Sequence, residues 1–224
     1  AMSGKMRILL SWSSGKDSAW ALHRLKQSNN YEIVGLLTTL NAEFNRVAMH
    51  GVRQELLRAQ AREAGLPLWE VPLPWPCSNE QYEALMSEAM QRAAREEIEA
   101  VALGDLFLQD IRAYREQKMA QAGLRCIFPL WGSDTSRLAQ EMIDGGLKAR
   151  LVCVDTRALD ASFSGREFDA ALLQDLPTGV DPCGERGEFH TFVYAGPMFS
   201  HALKINVGEK VLREGFAFAD VVQG

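Results

Sequence analysis

The sequence predicts an α/β protein in which a parallel sheet, covered by helices on both faces, is followed by a smaller α+β domain. Up to residue 128, short apolar runs alternate with longer segments whose apolar residues recur at helical spacing. Continuous apolar strands between helices are typical of a parallel sheet that is buried on both sides. After Pro129 the pattern changes to one helix followed by turn-rich sequence with short alternating strands. We therefore predict one domain over residues 1–130 and a second over 131–224.

Five strands and at least four helices are predicted in the first domain. The strands are the apolar runs at residues 6–12, 33–39, 66–71, 100–103 and 125–128. The helices are predicted where apolar residues recur three or four positions apart, over residues 16–27, 51–63 and 79–96, with a further helix around residues 112–118. Gly65, which follows the second helix, is a typical helix stop.

The second domain is predicted to open with a helix and to continue mainly as strands. This helix is capped near Asp134 and ends at the Gly145–Gly146 pair. Strands are predicted over residues 149–154, 189–194, 203–207 and 211–222.

Composition and charge exclude several classes of function. The chain is 47% hydrophobic and 24% charged, which is typical of globular proteins. Its net charge of −5 and its lack of a basic block argue against a nucleic-acid partner that binds by broad electrostatic attraction. The four cysteines are scattered, so no zinc site or disulfide framework is predicted. No apolar run approaches the ~18 residues of a membrane span, and no signal peptide is recognisable, so we expect a cytoplasmic protein without a membrane partner.

The segment between the first strand and the first helix, Ser-Trp-Ser-Ser-Gly-Lys-Asp-Ser at residues 11–18, predicts a phosphate site. Ligands of open parallel sheets bind beyond the carboxyl ends of the strands, where this loop lies. Small residues allow a phosphate to approach the backbone closely, and a helix N-terminus presents unpaired N–H groups. The loop lacks the first glycine of a Walker loop. The predicted phosphate-binding residues are Ser13, Ser14, Gly15, Lys16, Asp17 and Ser18.

Other polar residues follow the predicted strands at the same edge of the sheet. Thr38, at the end of the second strand, is a predicted contact for adenine or ribose. Gly104 and Asp105 end the fourth strand, so Asp105 is predicted to hold magnesium or to orient a substrate. Asp17 is predicted to cap the first helix or to contact the same magnesium ion. A turn or cap aspartate remains the alternative for Asp105.

A second polar cluster consists of Glu185, Glu188 and His190. If a strand begins at Gly187, Glu188 and His190 project from the same face of it. Such a group of side chains binds an amine or ammonium, holds a metal, or acts as a general base. The alternative is a charged hairpin tip. Cys183 beside them has no second cysteine nearby, so we predict a buried structural thiol.

A cationic stripe is predicted on the helix that follows the fourth strand. Arg112, Arg115 and Lys118 are three residues apart, which places them on one helix face. The stripe is suited to pyrophosphate or to an acidic substrate. A solvated helix face has the same pattern and remains the alternative.

Four sequence blocks resemble a known family. The loop resembles the S-G-G-x-D-S signature of the PP-loop ATP pyrophosphatases, which cleave ATP between its α and β phosphates; Ser14 stands where that signature has its first glycine. The blocks SWSSGKDSAWAL, GDLFLQDIRAYRE, FPLWGSDTSRLAQEMIDGG and DPCGERGEFHTFVYAGPMF, which span nearly the whole chain in this order, resemble the diphthine–ammonia ligase family. The His50-Gly51 pair also fits that family.

This resemblance implies a fold and a reaction. The fold is an adenine-nucleotide α-hydrolase-like (HUP, PP-loop) domain followed by a smaller family-specific domain. The reaction uses ATP with Mg²⁺ to activate a small-molecule or protein-borne carboxylate as an acyl adenylate, which ammonia converts to an amide, releasing AMP and pyrophosphate. The candidate catalytic residues are then Asp17, Asp105, Glu185, Glu188 and His190, with Asp17 and Asp105 as metal ligands. A homodimer is a further possibility.

The segment Gly-Glu-Arg-Gly-Glu-Phe-His-Thr at residues 184–191 departs from the pattern of members that act on diphthine. Those members carry G-E-G-G-E-[FY]-E-T, and the histidine form resembles a bacterial branch. Two alternative functions remain. A tRNA-modifying PP-loop enzyme is disfavoured by the net charge of −5 and by the absence of paired cysteines. The second alternative is a nucleotide-binding protein without turnover, in which the cluster of Glu185, Glu188 and His190 would have no role.

Overall fold

The computed structural model describes residues 4–41, 46–47 and 51–224, which form two sheets with helices. His50 lies outside the described residues. The first sheet belongs to the first part of the chain and the second to the last part. The α/β class predicted from the sequence is confirmed.

The first sheet has five parallel strands in the order β4-β2-β1-β5-β6, and β3 pairs antiparallel with the end of β2. Its strands are β1 (Met6–Ser11), β2 (Tyr31–Asn41), β3 (Arg46–Val47), β4 (Leu68–Leu73), β5 (Ala100–Ala102) and β6 (Arg125–Ile127). Because β1 has β2 on one side and β5 on the other, the strand order reverses at β1. The crevice at such a reversal is the usual ligand site of an open parallel sheet.

Four helices cover this sheet on its two faces. They are α1 (Lys16–Gln27), α2 (Gln54–Ala64), α3 (Asn79–Arg95) and α4 (Gln109–Gln121). Successive strand residues point to opposite faces, so Ile8 and Leu10 pack with α1 and α2, whereas Leu9 packs on the side of α3 and α4. Both faces are therefore covered, as the apolar strands predict.

The second sheet is antiparallel, with the order β8-β7-β10-β9. The elements of this part are α5 (Thr135–Asp144), β7 (Lys148–Asp155), a 3₁₀ turn (Ala161–Phe163), α6 (Ala170–Asp175), β8 (Phe189–Ala195), β9 (Ile205–Arg213) and β10 (Phe216–Gln223). Asp134 caps α5, as predicted, by accepting a hydrogen bond from the backbone N–H of Arg137 at 3.0 Å. The 3₁₀ turn and α6 were not predicted.

One strand prediction in this part is wrong. The predicted strand at residues 211–222 is interrupted, because Glu214 and Gly215 have φ of 52° and 84° and form the tight turn of the β9–β10 hairpin. The strand predicted over residues 189–194 is confirmed as β8, which begins at Phe189 and not at Gly187, because the left-handed backbone at Gly187, with φ of 85°, still belongs to a turn.

The two parts of the chain share one continuous cluster of buried apolar side chains. At Gly145, a Cβ atom would lie 2.5 Å from the ring of Trp20, so only glycine allows α5 to approach α1 this closely. Arg53, at the start of α2, forms a 2.7 Å ion pair with Asp220 of β10. The loop between β1 and α1 also lies against β8 of the second sheet, through hydrogen bonds to Thr191 and Val193. None of the helices in the described ranges is long and apolar enough to cross a membrane.

Candidate active site

The loop between β1 and α1 contains a left-handed residue, Ser14. Its φ is 72° and its side chain is fully buried, with no hydrogen-bond partner for the hydroxyl among the described residues. Glycine adopts this conformation freely, whereas a residue with a Cβ is strained by about 1–2 kcal/mol. This conformation explains why the related loop signature has glycine here. Two bonds to the carbonyl oxygen of Ser14 hold the loop in place, one from the N–H of Val193 at 2.9 Å and one from Gln60 Nε2 at 3.1 Å.

Gln60 connects the loop to the second sheet. Its buried side-chain amide accepts a hydrogen bond from Trp12 Nε1 at 2.9 Å and donates to the carbonyl oxygens of Ser14 and Val193 at 3.1 and 2.7 Å. Both N–H donors and the oxygen of the amide are therefore used. Sequence reasoning missed Gln60, although it lies four residues after buried Leu56 and so on the apolar face of α2.

Thr191 of β8 holds the other side of the loop. Its hydroxyl accepts a hydrogen bond from the backbone N–H of Lys16 at 3.0 Å. A Cβ atom at Gly15 would lie 3.1 Å from the carbonyl oxygen of Thr191, so this glycine permits the close contact between loop and strand. Thr191 was not predicted from the sequence either.

The loop leaves backbone donors available for an anion. The N–H groups of Ser14, Asp17 and Ser18 have no acceptor within the described part of the chain. The Ser18 hydroxyl donates to the carbonyl oxygen of Gly15 at 3.2 Å and lies 3.2 Å from the hydroxyl of Ser13, so it braces the loop internally. Free N–H groups at a helix N-terminus form a suitable site for phosphate.

Lys16 is directed into the second part of the chain. Its ammonium group donates to Asp17 Oδ1 at 3.2 Å and to the carbonyl oxygen of Cys183, and lies 5.3 Å from the centre of the Phe189 ring. Burial alone would lower the pKa of Lys16, but the charge of Asp17 raises it above its ordinary value. The ammonium group therefore neutralises Asp17 and joins the two parts of the chain. A direct contact between Lys16 and phosphate remains a prediction.

Glu185 lies across the crevice at the carboxyl ends of β1 and β5, and its side chain binds the segment that follows β5. Its Oε2 accepts hydrogen bonds from the backbone N–H of Leu106 and, at 3.2 Å, from that of Phe107. Burial, and then the charge of Asp17, raise the pKa of Glu185 to about 7. The carboxyl group is thus held in place while both of its protonation states are accessible near neutral pH.

Gly104 and Asp105 lie beside the start of α1, as predicted. A Cβ atom at Gly104 would lie 3.0 Å from the carbonyl carbon of Asp17. Asp105 forms a 2.7 Å ion pair with Arg115 of α4. Burial raises the pKa of Asp17, against the lowering effect of Lys16. The crevice therefore has an acidic wall that consists of Asp17, Asp105 and Glu185.

Glu188 and His190 have different surroundings. Glu188 is buried in the turn before β8, where its Oε2 accepts a hydrogen bond from the N–H of Asp181 at 2.7 Å. His190 instead lines a cavity together with Glu185. Cys183 is buried, its Sγ lies 3.4 Å from the carbonyl oxygen of Thr135, and burial raises its pKa to about 12, which suits a structural thiol.

Two cavities meet at the loop. A small one, of about 100 Å³, lies between the loop and residues 183–191. A larger one, of about 620 Å³, lies over the carboxyl ends of β1, β2 and β5 and between α3 and α4, a volume typical of ligand pockets. Ser13 lines both cavities, and Thr38 lines the larger one. The apolar wall of the larger cavity includes Leu37, Met86, Met90, Leu103 and Met119.

The predicted cationic stripe on α4 is paired within the protein. Arg115 binds Asp105, Arg112 binds Glu116 at 2.9 Å, and Lys118 binds Glu83 of α3 at 2.7 Å. The ion pair between Lys118 and Glu83 connects α3 to α4 at the larger cavity. The use of this stripe for pyrophosphate stays a prediction.

Fold and loop together define a nucleotide-binding α/β protein of the PP-loop class. The chain belongs to the diphthamide synthase family, since the model of the diphthamide synthase N-terminal domain matches residues 6–126 and that of the C-terminal domain matches residues 134–223. Relatives named diphthine–ammonia ligase include proteins from Bos taurus and Homo sapiens. The chain is 26% identical to the first over 96% of its own length and 89% of that protein, and 25% identical to the second over the same shares. The relative of the same name from Schizosaccharomyces pombe is 24% identical over 92% of this chain and 37% of that protein.

Proposed function

We propose that this protein is an ATP-dependent ligase that adenylates a carboxylate, releases pyrophosphate and transfers the acyl group to ammonia. Its family membership supports an ATP-dependent ligase role. One observation carries the finer proposal. The loop with three acceptor-free N–H groups and the acidic wall of the crevice lie on either side of the same helix start, so an anionic cosubstrate and a second reactant can meet there.

The two cavities that share Ser13 support separate positions for the adenosine and the phosphates of ATP. Adenosine fits the larger cavity, where Thr38 and Thr39 offer polar groups at the end of β2 beside an apolar wall. The phosphates then extend past Ser13 to the N–H groups of the loop. Bound ATP supplies the α-phosphorus that the carboxylate attacks, with pyrophosphate as the leaving group.

The acidic wall fits a magnesium ion that is shared with a nucleotide. Within the described ranges, no three His, Cys, Asp or Glu side chains form a cluster that would hold a metal ion alone. Magnesium at nucleotide sites is held by one or two carboxylates together with phosphate oxygens. Asp17 and Asp105 are the residues that would supply these carboxylates. The ion would offset phosphate charge in the reaction.

Glu185 is suited to proton transfer from the incoming nitrogen. Efficient general bases have a pKa near the working pH, and that of Glu185 is raised to about 7. His190 in the same cavity is a second candidate for this role. Because the second sheet covers the loop, it also limits the access of water to an acyl adenylate.

Product analysis tests this proposal. The protein is incubated with ATP, Mg²⁺ and ammonium, with and without a metabolite extract, and the nucleotides and phosphates are separated. We expect AMP and pyrophosphate, which increase when the extract is added and fall at least tenfold in Asp17→Asn. Exposed Asp110→Asn is the matched control. ADP and phosphate would contradict adenylation, and tight ATP binding without any product would favour a nucleotide-binding protein without turnover.

A further inference from the structure

Arg186 differs from the other cations at the crevice. Four of these cations are neutralised within the protein, in the pairs Lys16–Asp17, Arg112–Glu116, Arg115–Asp105 and Lys118–Glu83. Arg186 is exposed, and no carboxylate of the described residues lies within 4.0 Å of its guanidinium group. Its positive charge is therefore available to a ligand.

The position of Arg186 is held by its neighbours. The preceding residue, Glu185, is fixed to the N–H groups of Leu106 and Phe107 across the crevice. The guanidinium carbon of Arg186 then lies 4.8 Å from the centre of the Phe107 ring. A contact with the face of a ring orients the guanidinium group without cancelling its charge, so its N–H donors stay free for a planar anion.

We propose that Arg186 binds a second, non-reacting acidic group of the carboxylate substrate, so that this substrate is a small acid with at least two anionic groups. This inference rests on the proposed function. A carboxylate that enters this crevice meets the phosphates of ATP, while the nearby cations Lys16 and Arg115 are already paired with Asp17 and Asp105. Like charges repel more strongly where solvent is limited. A free guanidinium group at the rim offsets that repulsion.

The charge of the reacting carboxylate explains why a second acidic group is needed. Adenylation removes the negative charge of the carboxylate that reacts. A cation bound to that carboxylate would stabilise the ground state more than the transition state and would slow the reaction. An acidic group that remains charged throughout can bind Arg186 before and after adenylation. Dicarboxylic acids and phosphorylated carboxylic acids have this property.

The test is a binding titration on the full chain with Mg²⁺ and α,β-methylene-ATP present. The probes are the straight-chain dicarboxylates from oxalate to adipate, tricarballylate and 3-phosphoglycerate, each compared with a monocarboxylate of the same length. We expect at least one of these polyacids to bind, and to bind about 10- to 100-fold more weakly to Arg186→Gln, because a charge-assisted bidentate contact is lost. Arg186→Lys should recover part of the loss.

Arg157→Gln is the matched control. Arg157 is also exposed and lies over a ring, 6.0 Å from the centre of Phe216, but it is outside the crevice and, unlike Arg186, is paired with Asp155 at 3.0 Å. Equal affinity of Arg186→Gln and the unmodified protein would overturn the proposal, as would monocarboxylates that bind as tightly as polyacids. The proposal is also overturned if the nucleotide analogue binds and no polyacid does. In that case the proposed function still stands. If the analogue itself fails to bind, both are refuted.

Discussion

The two faces of the first sheet are packed to very different degrees. On one face, α1 buries seven of its residues, including Trp20 and Leu22, against the strands and the second part of the chain. On the other face, α3 buries only Met90 and Ala93, and α4 buries no residue completely. The larger cavity lies on this second face. The protein is therefore tightly packed around the loop between β1 and α1, and loosely packed at the cavity that we propose for the nucleoside.

A pair of truncations tests this difference in packing most directly. Leu22→Ala on the closed face should lower the free energy of unfolding by about 2–5 kcal/mol, because Leu22 is fully buried and a cavity would remain. Ile111→Ala on α4 should change it by less than about 0.5 kcal/mol, because Ile111 is 41% exposed. Urea unfolding of both variants measures the difference. Similar losses would show that the two faces contribute equally to stability.

The connection between the closed face and the loop depends on Gln60. Gln60→Leu leaves the indole N–H of Trp12 without its acceptor, and removes the bond to the carbonyl oxygen of Val193 and one of the two bonds to that of Ser14, which should cost about 2–3 kcal/mol of stability. Because the loop is then less well held, the affinity for ATP should also fall.

Gln54→Leu on the same helix is the control, since among the described residues Gln54 binds the partly exposed Glu70, at 3.2 Å. Unfolding experiments and ATP titration distinguish the two variants. Unchanged ATP affinity in Gln60→Leu would contradict a positioning role.

Across the crevice, Glu185 makes stability depend on pH. Its pKa is raised from the ordinary value of 4.5 to about 7 in the folded protein. The stability that it contributes is therefore fully present below pH 4.5 and is lost as the pH rises through 7. We expect the unmodified protein to lose about 1–2 kcal/mol more than Glu185→Gln between pH 5 and pH 8, with allowance for solvent at this partly exposed group.

Urea unfolding at the two pH values measures this loss. Glu88→Gln, on the exposed side of α3, controls for the removal of one negative charge. Parallel pH profiles of the unmodified protein and Glu185→Gln would refute the prediction.

The smallest expected effect concerns the strain in the loop itself. Ser14→Gly removes a Cβ from a left-handed residue and also a buried hydroxyl without a partner, so it should stabilise the protein by about 0.5–1 kcal/mol. Ser14→Ala removes only the hydroxyl and keeps the backbone strain. Thermal unfolding of both variants separates the two contributions. A destabilised Ser14→Gly variant would mean that the hydroxyl has a role in the fold.

Local pattern accounts for most of what could be predicted. The alternation of apolar runs with helical segments predicted the parallel sheet, and the small residues before α1 predicted the loop at its carboxyl edge. The Asp134 cap was also recognisable, because a cap involves residues three positions apart. The β9–β10 turn was missed, since the apolar residues on both sides of Glu214 and Gly215 read as a single strand.

The sequence by itself determined the class of fold, the family and the place of the phosphate loop, because each of these depends on neighbouring residues. Only the tertiary structure decided what holds that loop. Gln60 is 133 residues from Val193, and Thr191 is 175 residues from Lys16, and no periodicity connects such partners. Likewise, only the tertiary structure showed that Glu188 closes a turn whereas Glu185 faces the crevice. Whether a charged side chain is buried or paired depends on chain segments that meet only after folding, and no carboxylate of the described residues pairs with Arg186.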